Sequence, residues 1–202
     1  MNKYITELIG TLFLVMGAIL GGAVGASLAL MIMVYAGGHV SGAHYNPAVT
    51  LSVWMRGKIE MKDAVMYWIF QFAGALIAAL IVMYVFSNEG SGECKVTDGW
   101  GTKAIIAELM GTFALAYVVL NVATAKGTSG NSFYGLAIGG TVLAMATALG
   151  SFSGGAFNPA VAIGLAMQHS FCWDHVWVYF VGPLGGGALA AIVFSFVNPD
   201  DK

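Results

Sequence analysis

The 202-residue chain reads as an all-α membrane protein of six transmembrane helices plus two re-entrant half-helices, arranged as an inverted three-helix repeat. Three observations carry this. Hydrophobic residues make up 58% of the chain and charged residues 9%, against roughly 25% in soluble domains, so the chain cannot cover a water-facing surface. Charge-free runs over 8–55, 64–88, 109–125, 127–173 and 175–199 leave little room for soluble loops. Finally, the halves match each other: "TELIGTLFL" from Thr6 with "AELMGTFAL" from Ala107, and "SGAHYNPAV" from Ser41 with "SGGAFNPAV" from Ser153.

The elements follow from apolar length and Gly/Pro punctuation. Lys3 precedes an apolar run, but Glu7 interrupts it and no small-x-small cleavage site ends it, so residues 4–20 are expected to be a retained span rather than a signal peptide. Further spans are expected near 23–38, 64–86, 103–122, 133–150 and 175–196. Three full spans per half is an odd number, so the second half enters the membrane from the opposite side.

Each Asn-Pro-Ala starts a helix. Proline suits the first helical turn, where its missing N–H has no partner anyway, and Asn before it is a favoured N-cap. From Asn46 the apolar residues continue to Met55 and then meet Arg56-Gly57-Lys58, a length of roughly 15 Å and half of a hydrocarbon core. The motif therefore lies near the midplane, and its twin reaches the same depth from the other side. The Gly-rich stretches "GGHVSGAH" and "GSFSGG" before the motifs cannot continue a lipid-facing helix. Irregular backbone at that depth is tolerated only where protein buries it or it lines a watery cavity. Two helix N-termini meeting there bring partial positive charge, and each Asn can satisfy backbone N–H groups through its oxygen while turning its NH2 donors into the path. Cations are disfavoured there, and neutral hydrogen-bonding molecules find donors.

These features resemble the major intrinsic protein family, the aquaporins and aquaglyceroporins. The resemblance covers nearly the whole chain through the doubled Asn-Pro-Ala, the paired Glu near the start of each repeat, and "SGAHYNPAVT" from Ser41 to Thr50. It implies one channel domain over 1–202: repeat one about 1–86, an external connecting loop about 87–102, and repeat two about 103–202. Asn46, Pro47, Ala48, Asn158, Pro159 and Ala160 become the pore motifs. The carbonyls of Gly42, Ala43, His44, Gly154, Gly155 and Ala156 become a hydrogen-bonding ladder, and the assembly a homotetramer in the lipid bilayer. The implied function is passive conduction of water and small uncharged solutes, with no cofactor, metal or nucleic acid.

The chain also departs from the family pattern. An Arg usually follows the second Asn-Pro-Ala; here that position is Val161, and the other filter positions fall on Ala26, Ala146 and Gly155, none aromatic or charged. A wider, more apolar constriction is expected, admitting polyols, ammonia or metalloid hydroxides. The alternative is a strictly water-selective channel whose filter is completed by a loop side chain such as Trp100 or His169. Ala162, where glycerol conductors usually carry Asp, and Tyr179-Phe180 point back toward water. An inverted-repeat secondary transporter is the rival from another class.

The remaining polar residues have plainer expectations. Glu7 and Glu108 sit at matching positions and are expected to hold the re-entrant loops by hydrogen bonds, since no span carries a basic partner. His39 and His44 flank the first loop, where a structural role is simpler than a pH gate. No spacing such as H-E-x-x-H suggests a metal, and no nucleophile stands beside a base, so an enzyme is not expected. With both termini cytoplasmic in a cell (inner or plasma) membrane, Lys3, Arg56, Lys58, Lys62, Lys126 and Lys202 fall inside, and only Lys95 and Lys103 outside. Cys94 and Cys172 then both map outside; pairing would pin the loop over the mouth, but unpaired thiols are the expectation, because nothing gives their distance.

Overall fold

Gly22 decides how the first apolar run folds. In the computed structural model, which describes residues 1–86 and 99–201, helix α1 runs Asn2–Ser41 with one non-helical residue, Gly22, at φ 55° and ψ −143°. A Cβ is not tolerated in that region of backbone space, so glycine is required. A straight 40-residue helix would be about 60 Å long, twice a hydrocarbon core. Instead α1 doubles back. A Cβ at Gly17 would come within 2.6 Å of the Gly25 carbonyl oxygen, whereas eight residues along a straight helix put those groups about 12 Å apart. The two arms of α1 are therefore separate spans joined by a glycine turn, as the short Leu20-Gly21-Gly22 link predicts.

After α1 come the short α2 (Pro47–Met55), then α3 (Met61–Phe86), α4 (Trp100–Val119), α5 (Tyr134–Ser153), the short α6 (Pro159–Met167) and α7 (Val178–Val197). Five helical segments are long and apolar enough to cross a membrane; with α1 counted as two arms, the described residues hold six spans. Large apolar side chains such as Phe13, Leu28, Leu136 and Ile192 point outward, as a bilayer-facing surface requires. Most of the expected connecting loop, with Cys94 and Lys95, and also Lys202, lie outside the described residues.

Two ends differ from expectation. The second arm of α1 continues to Ser41 rather than 38, and α5 to Ser153 rather than 150. Both stop at left-handed glycines, Gly42 at φ 85° and Gly154 at φ 90°, whose N–H groups donate to the carbonyls four residues back. The Gly-rich stretches stay helical up to Ser41 and Ser153, whose hydroxyls are buried on Glu7 and Glu108, while Val40 and Phe152 face outward.

Packing repeats between the halves. The first arm of α1 lies on α3, where Gly74 lets the Leu8 carbonyl approach, and α4 lies on α7, where Gly182 and Gly186 do the same for Ile105 and Leu109. Helix α5 closes the ring by setting Gly135 against the Tyr35 ring and Gly139 against Ser27 and Met31. The half-helices fill the space inside: a Cβ at Gly187 would strike Ala48 of α2, and one at Gly164 of α6 would strike Val15.

Candidate functional site

The two half-helices meet by their N-termini. Asn46 and Asn158 take extended conformations, with φ −156° and −160°, so each caps the helix behind it. The Asn46 oxygen accepts from the Ala48 N–H at 2.9 Å, and the Asn158 oxygen accepts from Ala160 at 2.9 Å and Val161 at 3.4 Å. Their amide nitrogens cross. Asn46 donates to the Phe157 carbonyl and Asn158 to the Tyr45 carbonyl, each at 2.9 Å. This brace ties up one N–H of each NH2 and leaves one for the cavity, whereas the sequence reading offered both to the path.

Each loop ahead of its Asn is held by a buried carboxylate. Glu7 accepts from the Ser41 hydroxyl at 2.7 Å, the His44 N–H at 3.0 Å and the Tyr45 N–H at 2.7 Å; Glu108 accepts from Ser153 at 2.7 Å, Ala156 at 3.0 Å and Phe157 at 2.6 Å. The serines pass the chain on, their oxygens accepting from the N–H groups of Ala43 and Gly155. Tyr67 and Tyr179 complete the match by donating to the Ser41 and Ser153 carbonyls. Among the described residues no ion pair involves either acid, and no group of His, Cys, Asp or Glu could hold a metal ion.

The loops are also strained alike. Ala43, Tyr45 and Phe157 have φ near +50°, an uncommon conformation for residues with a Cβ. Packing holds them there: the Tyr45 ring fills the space over Gly10 and Gly37 and donates its hydroxyl to the Met33 carbonyl at 3.0 Å, and the Phe157 ring fills the space over Gly111. The sequence reading passed over these two rings and their glycines. Two signals were present: an aromatic residue directly before each Asn-Pro, and a glycine three residues after each Glu.

A cavity of about 250 Å³ runs past this junction, lined by both Asn residues and by Ala43, His44, Gly154, Gly155 and Ala156. Gly42 lines two adjoining cavities instead. Pro47, Ala48, Pro159 and Ala160 are buried away from the cavity, as are Glu7 and Glu108. Apart from the two amides, His44 and the loop backbone, the walls are apolar side chains such as Leu14, Leu30, Val119, Ile138 and Val142.

The family model described as "MIP: Major intrinsic protein" matches residues 5–194. The chain belongs to the major intrinsic protein family. It is 37% identical over 174 residues to "Aquaporin TIP1-2" of Zea mays, covering 85% of this chain and 68% of that one. With "Probable aquaporin TIP2-2" of Arabidopsis thaliana it is 38% identical over 178 residues, 87% of this chain and 70% of the relative. The fold matches "X-ray structure of the aquaglyceroporin from Plasmodium falciparum" with a TM-score of 0.79 and 22% identity, covering 97% of this chain and 96% of that one. This major intrinsic protein is a membrane channel of the aquaporin type, not an enzyme.

Ala26, Ala146, Gly155 and Val161 all line this cavity, together with Gly22 and Ala23 of the α1 turn. Neither loop side chain considered from sequence stands among the lining residues. Trp100 packs instead on His175 and Tyr179, at 5.5 and 6.3 Å between ring centroids, and His169 is exposed. Phe171, from the segment after α6, does line the cavity. The expectation of unpaired thiols is corrected for Cys172, which is disulfide-bonded. At the opposite end the cavities are lined by Lys3, Lys58, Glu60, Asp63 and Lys126.

Proposed function

We propose that the cavity is a passive pore for water and small uncharged solutes such as polyols, ammonia or metalloid hydroxides. The observation that carries this is the crossed pair of asparagines, set between two positive helix ends in an otherwise apolar tube. A neutral molecule gains hydrogen bonds there from the free amide N–H groups, and the backbone of Ala43, His44, Gly154, Gly155 and Ala156 continues the ladder. Cations meet two partial positive charges with no carboxylate facing them, which also argues against a coupling-ion site of the kind secondary transporters use.

Selectivity in this reading follows from Ala26, Ala146, Gly155 and Val161. Without an Arg fork the constriction has neither fixed charge nor strong donors, so exclusion is by width. Glu7 and Glu108 serve as supports of the loops. The whole chain acts as one channel domain, in a homotetramer with a pore in each protomer. The termini lie on the cytoplasmic side of a cell membrane; Lys3, Lys58 and Lys126 gathering at one end supports that orientation.

Light scattering on proteoliposomes tests the proposal. Osmotic water efflux above that of empty liposomes is expected, with measurable reswelling in glycerol and urea. Neither flux exceeding the control would remove the pore reading. Fast water flux with glycerol and urea both excluded would remove the wide filter, and saturable, strongly temperature-dependent flux would indicate a transporter.

A further inference from the structure

The four filter positions offer methyl groups and bare backbone, yet one phenyl ring reaches the same stretch of wall. Among the described residues that line the main cavity, Phe171 alone carries a phenyl ring. It comes from the turn after α6, where its N–H donates to the Leu165 carbonyl at 3.3 Å. The ring lies against Gly154: a Cβ there would approach two of its carbons to 2.6 and 2.7 Å. The next residue, Gly155, faces Ala146, with 3.5 Å between a Cβ built on the glycine and the alanine methyl. Gly154 therefore leaves the space that lets the ring stand beside the constriction.

The ring is also fixed. It stacks on Tyr179 with centroids 4.2 Å apart and planes 11° from parallel, and the Tyr179 hydroxyl donates to the Ser153 carbonyl at 2.6 Å. Its backbone is tied to α6 through the Leu165 carbonyl, and the next residue, Cys172, is disulfide-bonded. A loop side chain stacked on Tyr179 and seated over Gly154 is a part of the wall, not a mobile flap.

The geometry points to Phe171 as a specificity-determining residue, a rigid apolar plate that sets the upper size limit where Arg and aromatic side chains are missing from the filter positions. This inference rests on the cavity being the pore. It goes beyond the wide-filter reading, because it places the limit on a side chain outside the four filter positions.

Proteoliposomes of the full chain carrying Phe171→Ala, Phe171→Trp or Phe13→Ala test it, with water, glycerol and the five-carbon polyol xylitol as probes. For Phe171→Ala the ratio of xylitol to water permeability should rise about tenfold, since removing a ring frees far more than one methylene. Phe171→Trp should lower the glycerol-to-water ratio while water flux persists. Phe13→Ala removes an outward-facing phenyl ring outside the cavity lining and should move neither ratio. If the alanine and tryptophan variants both conduct water at unchanged ratios, the assignment is overturned. Loss of all flux in both, with lower melting temperature, overturns it too and makes Phe171 a folding residue. A wild type that excludes polyols, beside a Phe171→Ala variant that admits them, refutes the wide filter but sustains the role of Phe171.

Discussion

The two loop cradles use the same carboxylate contacts on different backgrounds. Around Glu7 the contacts extend into a polar annex: Gln71 donates to Glu7 at 2.8 Å and to Thr50 at 2.9 Å, and Thr50 is hydrogen-bonded to the His44 ring at 3.1 Å. By the register of the repeat, the counterparts of His44, Thr50 and Gln71 in the second half are Ala156, Ala162 and Pro183. Glu108 thus has its serine and two backbone donors and no side-chain amide. One task, holding a left-handed loop ahead of an Asn-Pro-Ala, is met once with a network and once with three bonds and packing.

The largest test of that difference replaces each acid by its amide. Glu108→Gln turns one acceptor into a donor that faces Ser153, Ala156 or Phe157, and nothing nearby can re-pair it. A loss of about 3 kcal/mol is expected, read as a lower thermal midpoint in detergent. Glu7→Gln should cost about half of that, because the Gln71 oxygen is buried without a partner and can turn to accept from the new amide. Equal losses would show that the annex is not adaptable.

Glycine-to-alanine changes under the two rings should reverse the order. Gly10→Ala drives a methyl into the Tyr45 ring, which is also seated on Gly37 and tethered through its hydroxyl to Met33, so the ring cannot retreat. Gly111→Ala meets Phe157, which has no such tether. Overpacking of about 2 to 3 kcal/mol is expected at Gly10 and about 1 to 2 kcal/mol at Gly111, by the same thermal measurement. Thr50→Val comes next, at about 1 kcal/mol, since it removes the shared partner of His44 and Gln71 while Glu7 keeps its other donors. A larger loss there would mean that the annex, not the carboxylate, supports the first loop.

What could be read before folding follows from which interactions are local. The half-helices were legible because Asn as N-cap and Pro at the first turn act within three residues. The hairpin in α1 was legible because the apolar run is too long for one span and carries Gly21-Gly22. The matching acids stood out because the repeat aligns Glu7 with Glu108. The rest depends on distant packing. The crossing bonds from Asn46 to Phe157 and from Asn158 to Tyr45 join residues more than a hundred positions apart, and no spacing rule reaches them. Phe171 was passed over for Trp100 and His169 because a loop side chain has no periodicity to aim it. The helical ends at Ser41 and Ser153 were misjudged because small residues were read as lipid-incompatible, although the helices continue there with Val40 and Phe152 exposed.

The smallest expected effect separates the far ends of the half-helices. Helix α2 ends at Arg56, which pairs with Asp201 at 2.7 Å, and Asp201 also accepts from the Lys126 N–H at 2.7 Å. Helix α6 ends at Gln168, whose amide donates to the Ala79 carbonyl at 2.9 Å. One end is fastened by charge and the other by a neutral bond. The Lys126 N–H, and then the Arg56 guanidinium, hold the Asp201 carboxyl below its ordinary pKa of 3.8. The unfolded chain therefore takes up this proton more readily than the folded one. The contribution is complete above the unfolded value and fades as pH falls through the lower folded value. Asp201→Asn should slightly lower the thermal midpoint at pH 7 and bring it progressively closer to wild type as pH falls from the ordinary value of 3.8 through the lower folded value, where the wild-type carboxyl becomes protonated. Gln168→Leu should give a difference that does not change over the same range, because no charge is lost. A pH-independent difference for Asp201→Asn would mean that the carboxylate holds Lys126 and Arg56 through shape alone, and the contrast between the two ends would disappear.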